Sequence, residues 1–313
     1  MDNPAPHHPH HRTKPPGTLP NIQRDYVEAS AYSANTMSTQ FDQWTISVTK
    51  GPILSSQCTC HTECRKDLPV GSSVNGNSLA NDTTTVPQKC VFCRYDARIE
   101  LKHLPDMVFV QNRLVISSPD DKFGVEFNAV DALNSIGAEP SDDIKVASAG
   151  AWQNARTESL QTYGPNAVKY DWTFGPNYTG TTFGITVEPT TDSLNMALLT
   201  QRDPVLFFDE FHLYCDELDD NGCAEMEVKI RVVESYLFVL LRYYLRVDHV
   251  AVKLQDVRLM FEKGKDFMLR EYTLREAKTS SLAPDISPME PVQIWSALKP
   301  TQTIVEKLSF RKV

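Results

Sequence analysis

Twelve consecutive residues, Tyr236-Leu237-Phe238-Val239-Leu240-Leu241-Arg242-Tyr243-Tyr244-Leu245-Arg246-Val247, constrain the fold more than any other segment of the chain. Their odd positions are all apolar, while Arg242 and Arg246 fall on even ones. A period of two gives an extended strand one fully apolar face. A helix is the rival reading, because the two arginines are also four apart, but the β-branched and aromatic content favours a strand. Just upstream, Val228, Ile230 and Val232 alternate with Lys229 and Arg231 in the same way. Just downstream, Asp248-His249 reads as a two-residue hairpin turn into Val250-Ala251-Val252-Lys253-Leu254. His249 is then expected at positive φ, which His tolerates better than most non-glycine residues. After Leu254 the pattern slips, with polar Gln255 and Asp256 side by side, so a β-bulge or a sheet edge is expected there.

The rest of the chain divides around this hairpin. The first 20 residues contain six prolines and four histidines (His7, His8, His10, His11). Such a segment cannot bury a core, and residues 1–37 read as a disordered tail. Residues 38–313 read as a single domain, opening with a strand in which Trp44, Ile46 and Val48 alternate with polar residues. From about Ser55 to Tyr95 the composition turns polar, and this stretch is expected to loop out as an insertion that folding can spare. Gly124–Phe127 reads as a strand, with a helix opening at Asn128–Leu133. Gly184–Glu188 reads as a strand stopped by Pro189, and Asp192-Ser193 as the N-cap of a short helix over Leu194–Leu199. Val205–Tyr214 reads as a buried strand, and Asp216–Gly222 as an acidic turn.

Charge and hydropathy narrow the partners. The 313 residues carry a formal charge of −9 and are 41% hydrophobic. That is enough apolar material for a core, and the acidic balance argues against general binding to nucleic acid or to an anionic membrane. The most apolar run is interrupted by two arginines and is shorter than the roughly 20 residues of a bilayer span. No signal peptide is evident, so the chain is expected in the cytoplasm, with the nucleus as a second compartment.

Catalytic signatures are missing: there is no G-x-S-x-G elbow, P-loop, G-x-G-x-x-G or H-E-x-x-H. The acidic turn lacks the bidentate Glu of an EF-hand. Asp209 and Glu210, adjacent on a strand, point to opposite faces and do not form an acid/base pair. Cys58, Cys60 and Cys64, with Cys90 and Cys93 later, could hold a structural zinc ion. Cys90 and Cys93 have zinc-knuckle spacing, but C-x-C-H-x-x-C is not a standard half-site, and a flexible insertion with ordinary thiols is the favoured alternative. Cys215 and Cys223 are expected in the core or the turn, and His103, His212 and His249 as scattered structural residues.

Several segments in one order resemble the TOR signalling pathway regulator-like (TIPRL) family. They include Phe123–Leu133, Tyr170-Asp171-Trp172-Thr173-Phe174, Asn177–Thr181, Val187–Asp192, Asp216–Gly222, Val228–Val232, Leu240–Asp248, Asp256–Leu259 and Met268–Glu276. The resemblance implies an α+β, mainly β fold: an open sandwich of two mixed β-sheets with a few peripheral helices. It also implies a non-catalytic protein that needs no cofactor. Such a protein binds the catalytic subunits of protein phosphatase 2A and related phosphatases, restrains their activity, and acts in TOR signalling and phosphatase assembly. Carried onto this chain, the partner-binding positions are Asp131, Leu194, Leu254, Asp256 and Arg258. The last three share a parity and so one strand face. No structural partner for Asp256 stands out nearby, so truncating it together with Leu254 is expected to spare stability; an internal pair with Arg258 or Arg270 is the alternative. A zinc-binding adaptor seated in the insertion is the competing function. The chain departs from the family at His249, where Gly is usual, and in its tail and insertion.

Overall fold

The computed structural model describes residues 34–54, 95, 98, 99, 101, 104–136, 177–218 and 220–310. Two sheets face each other. The smaller has the order β1-β2-β4-β5-β6, from β1 (Asn35–Phe41), β2 (Trp44–Lys50), β4 (Arg113–Ser117), β5 (Gly124–Asn128) and β6 (Thr181–Phe183). The larger contains β3 (Met107–Val108), β7 (Thr186–Pro189), β8 (Phe207–Asp216), β9 (Gly222–Val232), β10 (Tyr236–Val247), β11 (Ala251–Glu262), β12 (Phe267–Lys278) and β13 (Gln302–Ser309). Its order is β3-β8-β9-β10-β11-β12-β13-β7. Three short α-helices, α1 (Ala129–Asn134), α2 (Met196–Leu199) and α3 (Pro291–Ala297), and a 3-10 turn at Thr279–Ser281 lie among the described residues. Every described pairing is antiparallel, so the sheets are not mixed as expected. The long strands β8–β12 follow one another through short turns, and a short turn can join only antiparallel neighbours.

The period-two reading of β10 holds along its whole length. Leu237, Val239, Leu241, Tyr243, Leu245 and Val247 are all buried against the smaller sheet. Register extends this face to Val228, Ile230 and Val232 of β9 and to Val257, Leu259 and Phe261 of β11. From the opposite sheet come Trp44, Ile46 and Val48, then Leu114 and Ile116, then Val125 and Phe127. An aromatic cluster ties the layers together. The Trp44 ring meets Phe123, Phe261 and Phe310 edge-to-face at centroid distances of 5.5, 5.7 and 4.8 Å. Each such pair contributes about 0.5–1.5 kcal/mol beyond the area it buries. Two polar contacts fix the offset between sheets: Lys50 Nζ lies 2.6 Å from Asp209 Oδ1, and the Gly264 N–H donates to Asp42 Oδ2 at 2.8 Å. Glu210, the neighbour of Asp209, turns outward to Lys229 at 3.1 Å, so the two carboxylates do take opposite faces.

Several boundaries differ from the sequence reading. β1 begins at Asn35, inside the expected tail. Its side chains are mostly exposed, so no hydrophobic alternation announces it. It is held instead by cross-strand pairs such as Thr36–Thr49 at 3.0 Å and Ser38–Ser47 at 2.8 Å. Tyr95, at the end of the expected insertion, is buried in the core; residues 55–94 lie outside the described set. The strand expected from Gly184 starts at Thr186, because Gly184 turns at φ 62°. The short helix is capped by Asn195, whose side chain accepts from the Leu198 N–H, and not by Asp192-Ser193. The start of the strand expected to be buried at Val205 is exposed at Val205, Leu206 and Phe208, because nothing described packs over that end of β8.

The slip after Leu254 is neither a bulge nor an edge. β11 pairs without interruption with β10 and β12, and polar residues sit side by side because both faces of this central strand are covered. Gln255 faces inward, where its Nε2 donates to the Tyr272 hydroxyl at 3.0 Å; Asp256 faces outward. The described bulge is in β8, where pairing steps from His212↔Glu227 to Tyr214↔Met226.

The β10–β11 connection has three residues, not two, since Val247 pairs with Ala251. The Val250 N–H donates to the Val247 carbonyl at 3.0 Å, and His249 takes φ 62° as expected. The His249 side chain is exposed. Replacing His249 with Gly removes the Cβ penalty of this conformation and should stabilise the domain by up to about 1 kcal/mol. Urea unfolding checks this, and a lower midpoint would mean that the imidazole makes a stabilising contact.

Candidate functional site

The larger sheet has a second, outward face. It is made by even positions of β10 and β11 and odd positions of β9 and β12, by the cross-strand register. Two short helices cover part of it. Around α2, Leu194, Val233, Tyr236, Met260 and Leu269 form a small cluster closed by Leu198 and Leu199. Around α3, Ile294 buries Tyr244, Val252 and Leu254, with Leu282, Ile286, Trp295 and Leu298 at the margin. The Tyr244 hydroxyl donates to the Pro288 carbonyl and pins this segment down.

Between the helices lies a groove of about 340 Å³. Phe238 and Leu240 of β10 form its floor, Met196 and Leu199 one wall, and Trp295 and Arg258 the other. Phe208, Lys229 and Arg231 complete the rim. Phe208 is 54% exposed and Met196 50%, which is unusual for side chains of this size beside an apolar floor. Among the described residues, the three charged ones that line it are all cations, in a chain whose net charge is −9.

The cations are held in place by their neighbours. Arg231 donates to the Leu199 carbonyl at 3.3 Å and to the Tyr236 hydroxyl, fixing α2 to the sheet. Arg258 pairs with Glu271 at 3.2 Å and lies 5.1 Å from the Trp295 ring centroid. Arg275 lies 5.1 Å from the same ring and donates to the Leu298 carbonyl at 3.0 Å, fixing the end of α3. Cation–π contacts of this kind are each worth about 0.5–2 kcal/mol, depending on desolvation.

Beneath this layer, Asp256 finds a partner that local sequence does not reveal. Arg242, directly opposite across the β10–β11 ladder, makes two hydrogen bonds to the carboxylate, each 2.8 Å long. Burial opposes the Arg242 charge, but the hydrogen bonds and charge of Asp256 outweigh it and hold the guanidinium pKa above its usual value. Arg258 is 3.9 Å from Asp256, while Arg270 lies on the inner face and pairs with Glu306 at 2.7 Å. Asp256 therefore belongs to an internal ion-pair cluster: Arg242 is its main partner, Arg258, one of the two candidates considered from sequence, makes a longer contact, and Arg270 makes none.

The five positions expected to meet a partner are not equivalent. Leu254, Asp256 and Arg258 do share the outward face. Of these, Arg258 lines the groove, whereas Leu254 and Asp256 are buried beneath α3 and the arginine layer. Leu194 is buried and supports the α2 wall. Asp131 lies apart, on α1 beside the smaller sheet. Its backbone N–H takes the Asn128 cap at 2.8 Å, and its carboxylate accepts from Asn128 Nδ2 at 2.9 Å and from the Thr181 hydroxyl. Cys58, Cys60, Cys64, Cys90 and Cys93, with His103 and the Tyr170–Phe174 motif, lie outside the described residues. The groove residues Met196, Phe208, Phe238, Leu240 and Trp295 were not singled out from sequence. Their signal was present at Phe238 and Leu240: a strand whose odd face is already fully apolar carries further apolar residues on its even face.

The TIP41-like family profile matches residues 107–283, from β3 to just beyond β12. The chain belongs to the TIP41-like family. A human TIP41-like protein is 41% identical over 219 residues, 68% of this chain and 79% of that one. A TIP41-like protein of Caenorhabditis elegans is 39% identical over 197 residues, covering 62% and 68% of the two chains. The type 2A phosphatase activator TIP41 of Saccharomyces cerevisiae is 30% identical over 257 residues, covering 77% and 63%. In this TIP41-like chain the groove floor and the α2 wall fall within the profile match, whereas α3 and Trp295 lie beyond it.

The placement of Asp256 reverses the expectation that Asp256 and Leu254 can be truncated harmlessly. Asp256→Ala leaves Arg242 without its carboxylate in a buried setting and should cost about 3 kcal/mol. Leu254→Ala opens a cavity beneath Ile294 and should cost about 2–3 kcal/mol. Replacing the ion pair as a unit, Asp256→Leu with Arg242→Met, should recover most of the first loss. Chemical denaturation of the three variants checks the order, and an Asp256→Ala midpoint equal to wild type would dismiss the pair as a stabilising contact.

Proposed function

We propose that this chain is a non-catalytic regulator of type 2A protein phosphatases, which engages the catalytic subunit through the outward groove. One observation carries the reading: a TIP41-like chain presents a half-open apolar groove whose charged lining residues, among the described residues, are all cations, Lys229, Arg231 and Arg258. Large exposed apolar side chains rimmed by charge mark surfaces that another protein covers. Arginines already fixed by stacking lose little side-chain entropy on binding, which suits them to hold an acidic segment of a partner. Two fungal relatives carry the name type 2A phosphatase activator, and this supports the choice of phosphatase.

The reading extends to restraint of the free catalytic subunit, to phosphatase assembly in TOR signalling, and to the cytoplasm as the place of action. The family resemblance supports these finer points, while the relatives' names point to activation. Assaying both the free catalytic subunit and the assembled phosphatase separates the two signs. Of the five positions carried over from the resemblance, Arg258 meets the partner directly. Leu194 shapes the wall, Leu254 and Asp256 are reached only if α3 lifts, and Asp131 serves a separate contact.

Binding of the purified catalytic subunit to the full chain tests the proposal. Met196→Ala with Phe208→Ala removes exposed apolar surface without opening the core, so the melting temperature should hold. Affinity should fall at least tenfold, which corresponds to about 1.4 kcal/mol. Full-strength binding by the folded double variant would exclude the groove, and no binding by the wild-type chain would overturn the regulator reading.

A further inference from the structure

The β8 bulge brings together three side chains that strand alternation would separate. Residues 212 and 215 differ in parity, so in a regular strand His212 and Cys215 would lie on opposite faces. The bulge steps the pairing from His212↔Glu227 to Tyr214↔Met226 and then to Cys215↔Glu225. One extra residue, Leu213, is absorbed, and its side chain turns into the core. Both His212 and Cys215 thereby face outward, beside Glu225 of β9. The bulge backbone is anchored from the other side. The Phe109 N–H donates to the Leu213 carbonyl at 3.0 Å, and Asn112 Nδ2 donates to the His212 carbonyl at 2.8 Å. A bulge held by its own hydrogen bonds re-aims side chains in a fixed way.

The donor set has a recognisable chemistry. Imidazole, thiolate and carboxylate, one of each, suit a borderline-soft divalent ion, zinc above all. One donor atom from each of His212, Cys215 and Glu225 lies within 4.8 Å of the other two. In a tetrahedral zinc site, bonds of about 2.0–2.3 Å place neighbouring donors roughly 3.3–3.8 Å apart. His212 Nε2 and Glu225 Oε2 already stand 3.6 Å apart, too far for a good hydrogen bond but suited to a shared ion. All three residues are partly exposed, so an ion has a way in. Glu227, the cross-strand neighbour of His212, adds negative charge nearby. The nearby Glu225 carboxylate lifts the His212 pKa above its usual value, and burial pushes the Cys215 thiol up to about 12, so an ion that binds here displaces protons.

We propose that His212, Cys215 and Glu225 form a zinc-binding site on the outward face of the larger sheet, with the fourth coordination position open to solvent. This is distinct from the insertion cysteines considered from sequence and from the groove. Binding forms one N–Zn, one S–Zn and one O–Zn bond. The Cys215 S–H bond breaks, and its proton passes to solvent together with any proton held by His212.

Cobalt(II) serves as the spectroscopic probe, with zinc(II) as the competing ion. A full-length chain in which Cys58, Cys60, Cys64, Cys90 and Cys93 are all changed to Ser should still develop a thiolate-to-cobalt charge-transfer band, which zinc abolishes. Adding Cys215→Ser or His212→Ala should remove the band, and Glu225→Gln should weaken cobalt binding at least tenfold. In the otherwise wild-type chain, Cys215→Ser should lower bound zinc by one equivalent, which tests the site even if the five-serine chain fails to fold. The proposal is overturned if the folded five-serine chain gives no band, if the band survives Cys215→Ser, or if zinc stoichiometry is unchanged by that substitution.

Discussion

Strands β10 and β11 carry apolar residues on both faces, and water must be excluded from each. On the inner face the smaller sheet does this completely, through Trp44 and the aromatic rings that meet it edge-on. On the outer face the covering is partial. Two helices of four and seven residues lie over separate patches, anchored by Arg231 to the Leu199 carbonyl and by Arg275 to the Leu298 carbonyl. The gap between them is the groove. Function on this reading follows from an incomplete solution to a burial problem: a sheet too wide for its own helices keeps apolar floor for a partner.

The outward arginines show how polar groups are accommodated in such a setting. Arg242 is matched to Asp256 across the ladder by two short hydrogen bonds, so neither charge is buried alone. A pair like this adds less net stability than its Coulomb attraction suggests, because both ions lose hydration. Its effect is to fix alignment, since a one-residue slip of β11 would leave both charges unpaired and invert the faces. Above it, Arg258 and Arg275 hold Trp295 through their π contacts, so the layer that lines the groove is rigid before any partner arrives.

Much of this fold was legible in the sequence. The strict alternation from Leu237 to Val247 predicted β10 and its buried face, and Trp44, Ile46 and Val48 did the same for β2. The positive φ of His249 followed from a short hydrophobic hairpin with no glycine in its turn. What failed shares one cause: a periodicity rule sees one strand at a time. β1 has polar side chains and exists because β2 offers it a ladder. The break at Gln255-Asp256 looked like a defect because the covering on both sides of β11 comes from residues far away in the chain. The bulge at Leu213 was invisible because it interrupts an apolar run in which any register looks acceptable.

The candidate sites divide along the same line. Sequence by itself determined which residues could be buried, which strands would be long, and that a stretch of even-numbered apolar positions in β10 exceeded what one core needs. Resemblance drew attention to Leu254, Asp256 and Arg258 on one strand face. Tertiary structure alone decided that Arg258 lines the groove while Leu254 and Asp256 are covered, because α3 comes from about 35–40 residues further along the chain. It alone decided that His212, Cys215 and Glu225 meet, because a single extra residue in β8 changes the parity of everything after it. Local patterns specify faces; which faces touch is set by register and layer packing, and those depend on contacts between segments that have no proximity in sequence.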